Sequence, residues 1–200
     1  MLKVGITGGI GSGKTTVCWI FEILGIPVFY ADAVAKQVMH ANKQLKQKIR
    51  AHFGEQSYTV TGTLNSEYLA GIVFNDQEKL EQLNALVHPV VFDAFETWVS
   101  LQHQVPYVLK EAALLFESDS HKRCDYTVLI KAPLDLKVQR VMQRDQVSLE
   151  EVQMRINKQL TDEQKQNLAN FILINDEQQL LIPQVIALHK HFIDLGKESV

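Results

Sequence analysis

Cysteine is scarce in this sequence. Only Cys18 and Cys124 occur among 200 residues, far apart and outside any C-x-x-C pair. That spacing argues against a metal knuckle or a dithiol redox motif and leaves two reduced thiols, as expected of a cytosolic protein. No run of about 18 apolar residues occurs, so no membrane-spanning helix is expected. Positive charge is not in excess. The formal net charge is −3, which provides no general attraction to nucleic acid or anionic membrane but permits a local basic pocket for phosphates. The opening MLKVGITGG reaches its glycines too soon to form the apolar core of a signal peptide. Internal repeats and low-complexity stretches are absent as well. What remains is a globular protein expected in the cytoplasm, 46% hydrophobic and 22% charged. Its length suits one domain with an inserted subdomain, large enough for a core without disulfides or structural metal.

The alternation of elements then sets the fold class. Leu2–Thr7 is short and β-branched and reads as a buried strand. Lys14–Leu24 reads as a helix ended by Gly25 at C′. Pro27–Tyr30 reads as a second strand, and Asp32 leads into a helix over Ala33–His40. From about Asn42 to Gln104 the strand signal fades. Asn42–Phe53, Ser66–Phe74, Gln77–Leu86 and Pro89–Gln102 tolerate helix, and Gly54–Gly62 is loop-like. Alternation resumes with strands opening at Tyr107, extending as far as Leu115, and at Tyr126–Ile130. Pro133 suits N1 of a helix running to about Arg144, and Ser148 with Glu151 forms a capping box. Phe171–Ile174 is the last strand, and Glu177–Leu195 a terminal helix with Pro183 as a kink point. This order predicts an α/β, three-layer fold: a five-stranded, mostly parallel sheet with crossover helices and a mostly helical middle region hung on it.

Gly8–Thr15, GGIGSGKT, fits G-x-x-x-x-G-K-[ST], with an apolar strand before it and a helix after it. Glycines at 8, 9, 11 and 13 let the backbone turn successive N–H groups inward around phosphate oxygens. The helix start adds partial positive charge. Lys14 is a mobile point charge for the β- and γ-phosphates, and the Thr15 hydroxyl is the expected protein ligand to Mg²⁺. These residues predict an ATP site. A GTPase would carry N-K-x-D; Asn157-Lys158-Gln159-Leu160 lacks the Asp and reads as helix interior. No LSGGQ-like signature is present, and the chain is small for a motor or helicase. A small-molecule kinase remains.

Such a kinase needs a group beside the acceptor hydroxyl and arginines for the transferring phosphoryl group. Asp32 follows the second strand, where open α/β sheets hold ligands. It reads equally as a hydroxyl-orienting carboxylate and as a helix N-cap. Arg140 and Arg144 share a helix face, and Arg155 lies on the next helix. They read either as a lid that excludes water or as a solvated face paired with Asp145 and Glu151. His88, before Pro89, reads as a structural histidine when taken alone.

In this order and spacing, GITGGIGSGKTT (Gly5–Thr16), ADAVAK (Ala31–Lys36), LAGIVF (Leu69–Phe74), VHPVV (Val87–Val91), ALLFE (Ala113–Glu117), QRVMQRD (Gln139–Asp145), RINKQ (Arg155–Gln159) and ANFILIN (Ala169–Asn175) resemble the dephospho-CoA kinase family over nearly the whole chain. The resemblance implies a P-loop core at 1–54, 106–136 and 166–200, a coenzyme-binding domain at 55–105 and a lid at 137–165. It implies that ATP phosphorylates the 3′-hydroxyl of dephospho-CoA, with Mg²⁺, giving coenzyme A and ADP. The partners it implies are these small molecules, with no nucleic acid, membrane or obligate protein partner. In this reading Asp32, Lys14 and Arg140 are catalytic. Gly9, Gly11, Ser12, Gly13, Lys14, Thr15, Thr16, Arg140, Arg144 and Asn175 hold ATP. Asp32, His88 and Leu114 hold the acceptor. Glu111 assists Thr15 at Mg²⁺ through water. Tyr30, Ser66, Glu111, Ala113 and Asn170 depart from the family's usual residues. Two alternatives stay open: a nucleoside or nucleoside monophosphate kinase, and a nucleotide-dependent switch protein.

Overall fold

Strand β1 (Leu2–Thr7) carries side chains that are buried on both of its faces, which places it inside the sheet rather than at an edge. The computed structural model, which describes residues 1–74 and 76–198, sets β1 third in a five-stranded sheet of order β2-β3-β1-β4-β5. The other strands are β2 (Val28–Tyr30), β3 (Tyr107–Glu111), β4 (Tyr126–Lys131) and β5 (Phe171–Ile174). Every pairing is parallel, so the expected "mostly parallel" sheet is parallel throughout among the described residues. Strand β3 stops at Glu111, short of Leu115: Ala112 N makes the last bond to β1, to Ile6 O at 3.1 Å, and a turn follows, in which Ser118 N donates to Leu114 O and Asp119 N to Phe116 O.

The chain divides into two compact units, Met1–Tyr30 with Gln102–Val200, and Ala31–Leu101. In the first, helices α1 (Lys14–Ile23) and α9 (Leu181–Glu198) cover one sheet face. Val17, Cys18 and Phe21 meet Val4, Ile6, Leu109 and Val128 there, together with Val185, Leu188 and Phe192. Tyr107 packs its ring on Phe21 and Phe192, and its hydroxyl lies 2.7 Å from His189 Nδ1. Gly25 follows α1 with φ +83°, as a C′ glycine should. Pro183 falls in the first turn of α9, where N–H groups have no helical partner to lose, so it starts the helix rather than kinking it. Helices α6 (Leu134–Asp145), α7 (Leu149–Ile156) and α8 (Asp162–Gln166) complete this unit. Pro133 is the N-cap residue of α6, one place before the expected N1, and the Ser148–Glu151 capping box of α7 is present. Asn157 ends α7, so Asn157–Leu160 leaves the helix instead of lying inside it.

The second unit is helical: α2 (Ala31–Ala41), α3 (Lys43–Phe53), α4 (Ser66–Val73) and α5 (Gln77–Ser100). Its buried side chains include Leu45, Ile49, Phe53, Leu69, Val87, Val91 and Phe95. Asn42, Asn65 and Asp76 cap α3, α4 and α5 through their side chains. The two helices expected over 77–86 and 89–102 are one, with Pro89 inside it. Proline removes a single N–H and crowds one carbonyl, a cost of about 3 kcal/mol, and the apolar face of Val87, Val91 and Phe95 continues through it. The loop expected at Gly54–Gly62 contains a short 3₁₀ turn at Glu55–Ser57, and Tyr58 pairs with Leu64. The unit runs from Ala31 to Leu101, with α2 and α3 packed on α5 within it.

Candidate active site

The loop between β1 and α1 is shaped by only two of its four glycines' torsions. Gly11 and Gly13 take φ of +78° and +93°, whereas Gly8 and Gly9 do not enter the left-handed region. A Cβ at Gly11 would run into the Lys137 backbone, and one at Gly13 into the Asn175 amide. Gly8 matters for space instead: its Cβ would lie 2.5 Å from Ile130 O. Gly13 is also the N-cap residue of α1 and supplies no side-chain acceptor, in contrast to the side-chain caps on α3, α4, α5, α7 and α8. The first internal bond of α1 is Val17 N to Gly13 O, so the N–H groups before it lack helical acceptors. Ser12 lies buried in the loop, and its Oγ has no hydrogen-bond partner among the described residues. Uncapped amides, an orphaned hydroxyl and a helix start without acidic residues form a cradle for an anion.

Cations surround this cradle. Lys14 Nζ folds back to Gly8 O at 3.0 Å. Arg140, on α6, reaches Gly11 O at 3.3 Å, Asn175 O at 3.4 Å and Glu177 Oε1 at 2.9 Å. Asn175, just past β5, donates from Nδ2 to Ser12 O at 2.9 Å, and so braces the loop directly. Arg144 and Arg155 are drawn elsewhere. Both pair with Asp145, Arg144 through two hydrogen bonds of 2.7 and 3.0 Å and Arg155 through one of 2.7 Å. The hydrogen bond from Arg144, then that from Arg155, holds the Asp145 carboxyl at about 2 against a usual 3.8. Thr15 and Thr16 are exposed at the start of α1.

Glu111 ends β3 beside Ile6 and Tyr30 in the sheet and is 8% exposed. Burial first, then the charges of Glu111 and Glu22, push the Cys18 thiol far above its usual range, so it stays protonated and unreactive. Cys18 and Cys124 are both free thiols. Burial likewise raises the Tyr30 phenol, with Cys18, Glu22 and Glu111 adding to it. Leu114 is exposed in the turn after β3, and its carbonyl accepts from Ser118. A cavity of about 720 Å³ opens at Gly9 and Ile10 and is bounded by Lys131, Lys137, Leu160 and Asp176. That volume is in the range of small-molecule sites.

In the helical unit Asp32 lies in the first turn of α2, which starts at Ala31, so it is not the N-cap residue. There its charge interacts favourably with the helix dipole. It is exposed. His88 is half-buried, with its ring 6.0 Å from Phe92.

Several residues around the loop escaped the sequence reading. Gln159 Oε1 accepts from Ile10 N at 2.9 Å, and Lys137 pairs with Asp162 at 2.8 Å beside Gly9. Helix α8 was legible in principle, since Thr161-x-x-Gln164 is a capping box, but it spans only five residues. The buried lysines 110, 137 and 165 carry no sequence signal, because lysine normally marks a surface.

No described helix is long and apolar enough to cross a membrane. The family model for dephospho-CoA kinase matches residues 2–180. The dephospho-CoA kinase of Salinibacter ruber is 43% identical over 178 residues, covering 88% of this chain and 89% of the relative. That of Pseudoalteromonas translucida is 39% identical and covers 96% of this chain and 92% of the relative. Among solved structures, TT1252 from Thermus thermophilus superposes with a TM-score of 0.82 at 36% identity, covering 97% of both chains. A dephospho-CoA kinase from Campylobacter jejuni gives 0.68 at 26% identity, over 99% of this chain and 98% of that one. The parallel sheet, the uncapped glycine loop and a match running almost end to end agree: the chain belongs to the dephospho-CoA kinase family.

Proposed function

We propose that this protein transfers the γ-phosphate of ATP to the 3′-hydroxyl of dephospho-CoA, releasing coenzyme A and ADP. The observation that carries the nucleotide half is the glycine loop, whose helix start has no side-chain cap and whose Ser12 hydroxyl is buried without a partner. Family membership carries the choice of acceptor. The alternatives, a nucleoside monophosphate kinase and a switch protein, have no comparable support.

The acceptor oxygen forms a bond to the γ-phosphorus as the bond to the β,γ-bridging oxygen breaks. Asp32 orients the hydroxyl and takes up its proton. Lys14 follows the phosphates, exchanging its contact with Gly8 O for phosphate oxygens. Arg140 does the same from Gly11 O and Asn175 O, and Arg144 leaves Asp145 to join it. Gly9, Gly11, Ser12, Gly13, Thr15 and Thr16 hold ATP through the loop and helix start, and Asn175 fixes the loop from below. His88 and Leu114 hold the acceptor. Among the described residues no cluster of three or more acids, histidines or cysteines forms a metal cage. The Thr15 hydroxyl at the start of α1 and the Glu111 carboxylate at the end of β3 are oxygen donors that fit Mg²⁺; Thr15 would hold the ion directly and Glu111 through water. The ion, when bound, neutralises phosphate charge. The segment 137–165 acts as the lid, and the helical unit binds the coenzyme. With soluble substrates of this kind, the protein acts in the cytoplasm.

The test is ADP release by the purified chain with Mg²⁺, offering dephospho-CoA and, separately, a panel of nucleosides and nucleoside monophosphates. Turnover with dephospho-CoA alone is expected. Turnover only with a nucleoside monophosphate would overturn the acceptor assignment.

A further inference from the structure

The segment that links α7 to α8 passes the tip of the P-loop and is pinned at successive residues. Gln159 Oε1 accepts from Ile10 N at 2.9 Å. Leu160 N donates to Glu117 Oε1, also at 2.9 Å. The same Glu117 oxygen lies 3.1 Å from Lys165 Nζ, and the Lys165 side chain is fully buried. Between them, Thr161 and Gln164 cap α8 reciprocally, and Asp162 pairs with Lys137. Every one of these residues lies in the unit that carries the P-loop.

A fully buried ammonium facing one carboxylate is an expensive way to hold a short helix, since an apolar pair of similar size usually does as well. Here the carboxylate has a second task. By accepting from Leu160 N, Glu117 fixes the backbone immediately after Gln159. Gln159 in turn holds the one residue between Gly9 and Gly11 that bears a side chain. A glycine-rich loop loses much conformational entropy when it wraps a phosphate, and a hydrogen bond that fixes its tip beforehand reduces that loss at binding. We infer that Gln159 is a positioning residue for the P-loop, and that Glu117, paired with the buried Lys165, acts through it by fixing where its carboxamide sits.

This inference rests on the proposed nucleotide reading, so its test measures nucleotide affinity without acceptor. Mg-ATP is titrated calorimetrically into the full chain, and ADP release is followed in parallel. Gln159→Met keeps length and bulk and removes the acceptor. It is expected to weaken Mg-ATP binding about tenfold, the worth of one lost hydrogen bond. The melting temperature and the KM for dephospho-CoA are expected to stay at wild-type values. Glu117→Met combined with Lys165→Met removes both charges together, and with them the acceptor for Leu160 N. This pair is expected to weaken Mg-ATP binding in the same direction. Added to Gln159→Met, it is expected to change affinity by no more than about twofold, because groups acting through one contact are not additive. Wild-type Mg-ATP affinity in Gln159→Met would overturn the positioning role. Fully multiplicative losses would overturn the route through Gln159. A wild-type chain that binds no Mg-ATP would instead overturn the nucleotide reading, and this inference with it.

Discussion

The two compact units carry the proposed site residues in different settings. In the P-loop unit several of these groups are already tied: Lys14 to Gly8 within the loop, and, across segments, Arg140 to Gly11 and Asn175, Asn175 to Ser12, and Gln159 to Ile10. In the helical unit Asp32 is exposed in a first helical turn, and His88 sits half-buried by Phe92 in the middle of α5. The first arrangement suits phosphate, which every nucleotide presents alike and which a preformed backbone cradle meets while the Lys14 and Arg140 side chains exchange their contacts. The second is the setting in which the proposed acceptor would dock and supply contacts of its own.

The largest expected effect separates the units by chemistry. Asp32→Asn should lower turnover by about 10²- to 10⁴-fold, as removal of a general base does. Mg-ATP affinity should stay at the wild-type value. Stopped single-turnover and binding measurements check the two halves, and near-normal turnover would remove Asp32 from the mechanism.

Next comes a pair of glycines within the P-loop unit. Gly13→Ala places a Cβ both at φ +93° and against Asn175, while Gly25→Ala meets φ +83° with nothing within 4 Å. Both pay the left-handed penalty of about 1–2 kcal/mol, visible as a lowered melting temperature. Only Gly13→Ala should also lose nucleotide binding. Equal activity in the two variants would show that the close approach of Asn175 does not matter.

His88→Ala tests the helical unit more gently. The KM for dephospho-CoA is expected to rise by about tenfold, the worth of one or two hydrogen bonds. The KM for ATP should not move. A rise in both, with a lowered melting temperature, would make His88 a packing residue of α5.

The glycine loop was legible because its chemistry dictates its residues: glycine where a Cβ cannot fit, lysine and threonine at fixed offsets. The five strands were legible because β-branched runs alternated with helical ones, and Phe171–Ile174 was placed at its observed bounds. The long helix α5 was misjudged as two, since a proline predicts a break that the continuous apolar face of Val87, Val91 and Phe95 overrides. The ties made by Gln159, Lys137 and Lys165 were invisible, because each joins segments distant in sequence through polar side chains with no local pattern. Asp145 was legible only as a partner for arginine, not as the residue that gathers two of them.

The smallest effect concerns that acid. Its carboxyl pKa is depressed in the folded chain, so the stabilisation it provides is complete above the usual value of 3.8 and disappears as pH falls through about 2. Carbon-detected NMR titration should place its midpoint near that lower figure. A midpoint at the ordinary carboxylate value would show that Arg144 and Arg155 are not held by Asp145 in solution.

The proposed function depends above all on the loop at Gly8–Thr16 being a preformed nest for the phosphates of a nucleotide. The most direct test titrates a fluorescent ATP analogue with Mg²⁺ into the wild-type chain and into Lys14→Ala. Saturable binding by the wild type, displaced by ATP and weakened by at least about tenfold in the variant, is the predicted result. Identical binding by both chains, or no saturable binding by the wild type, would contradict it.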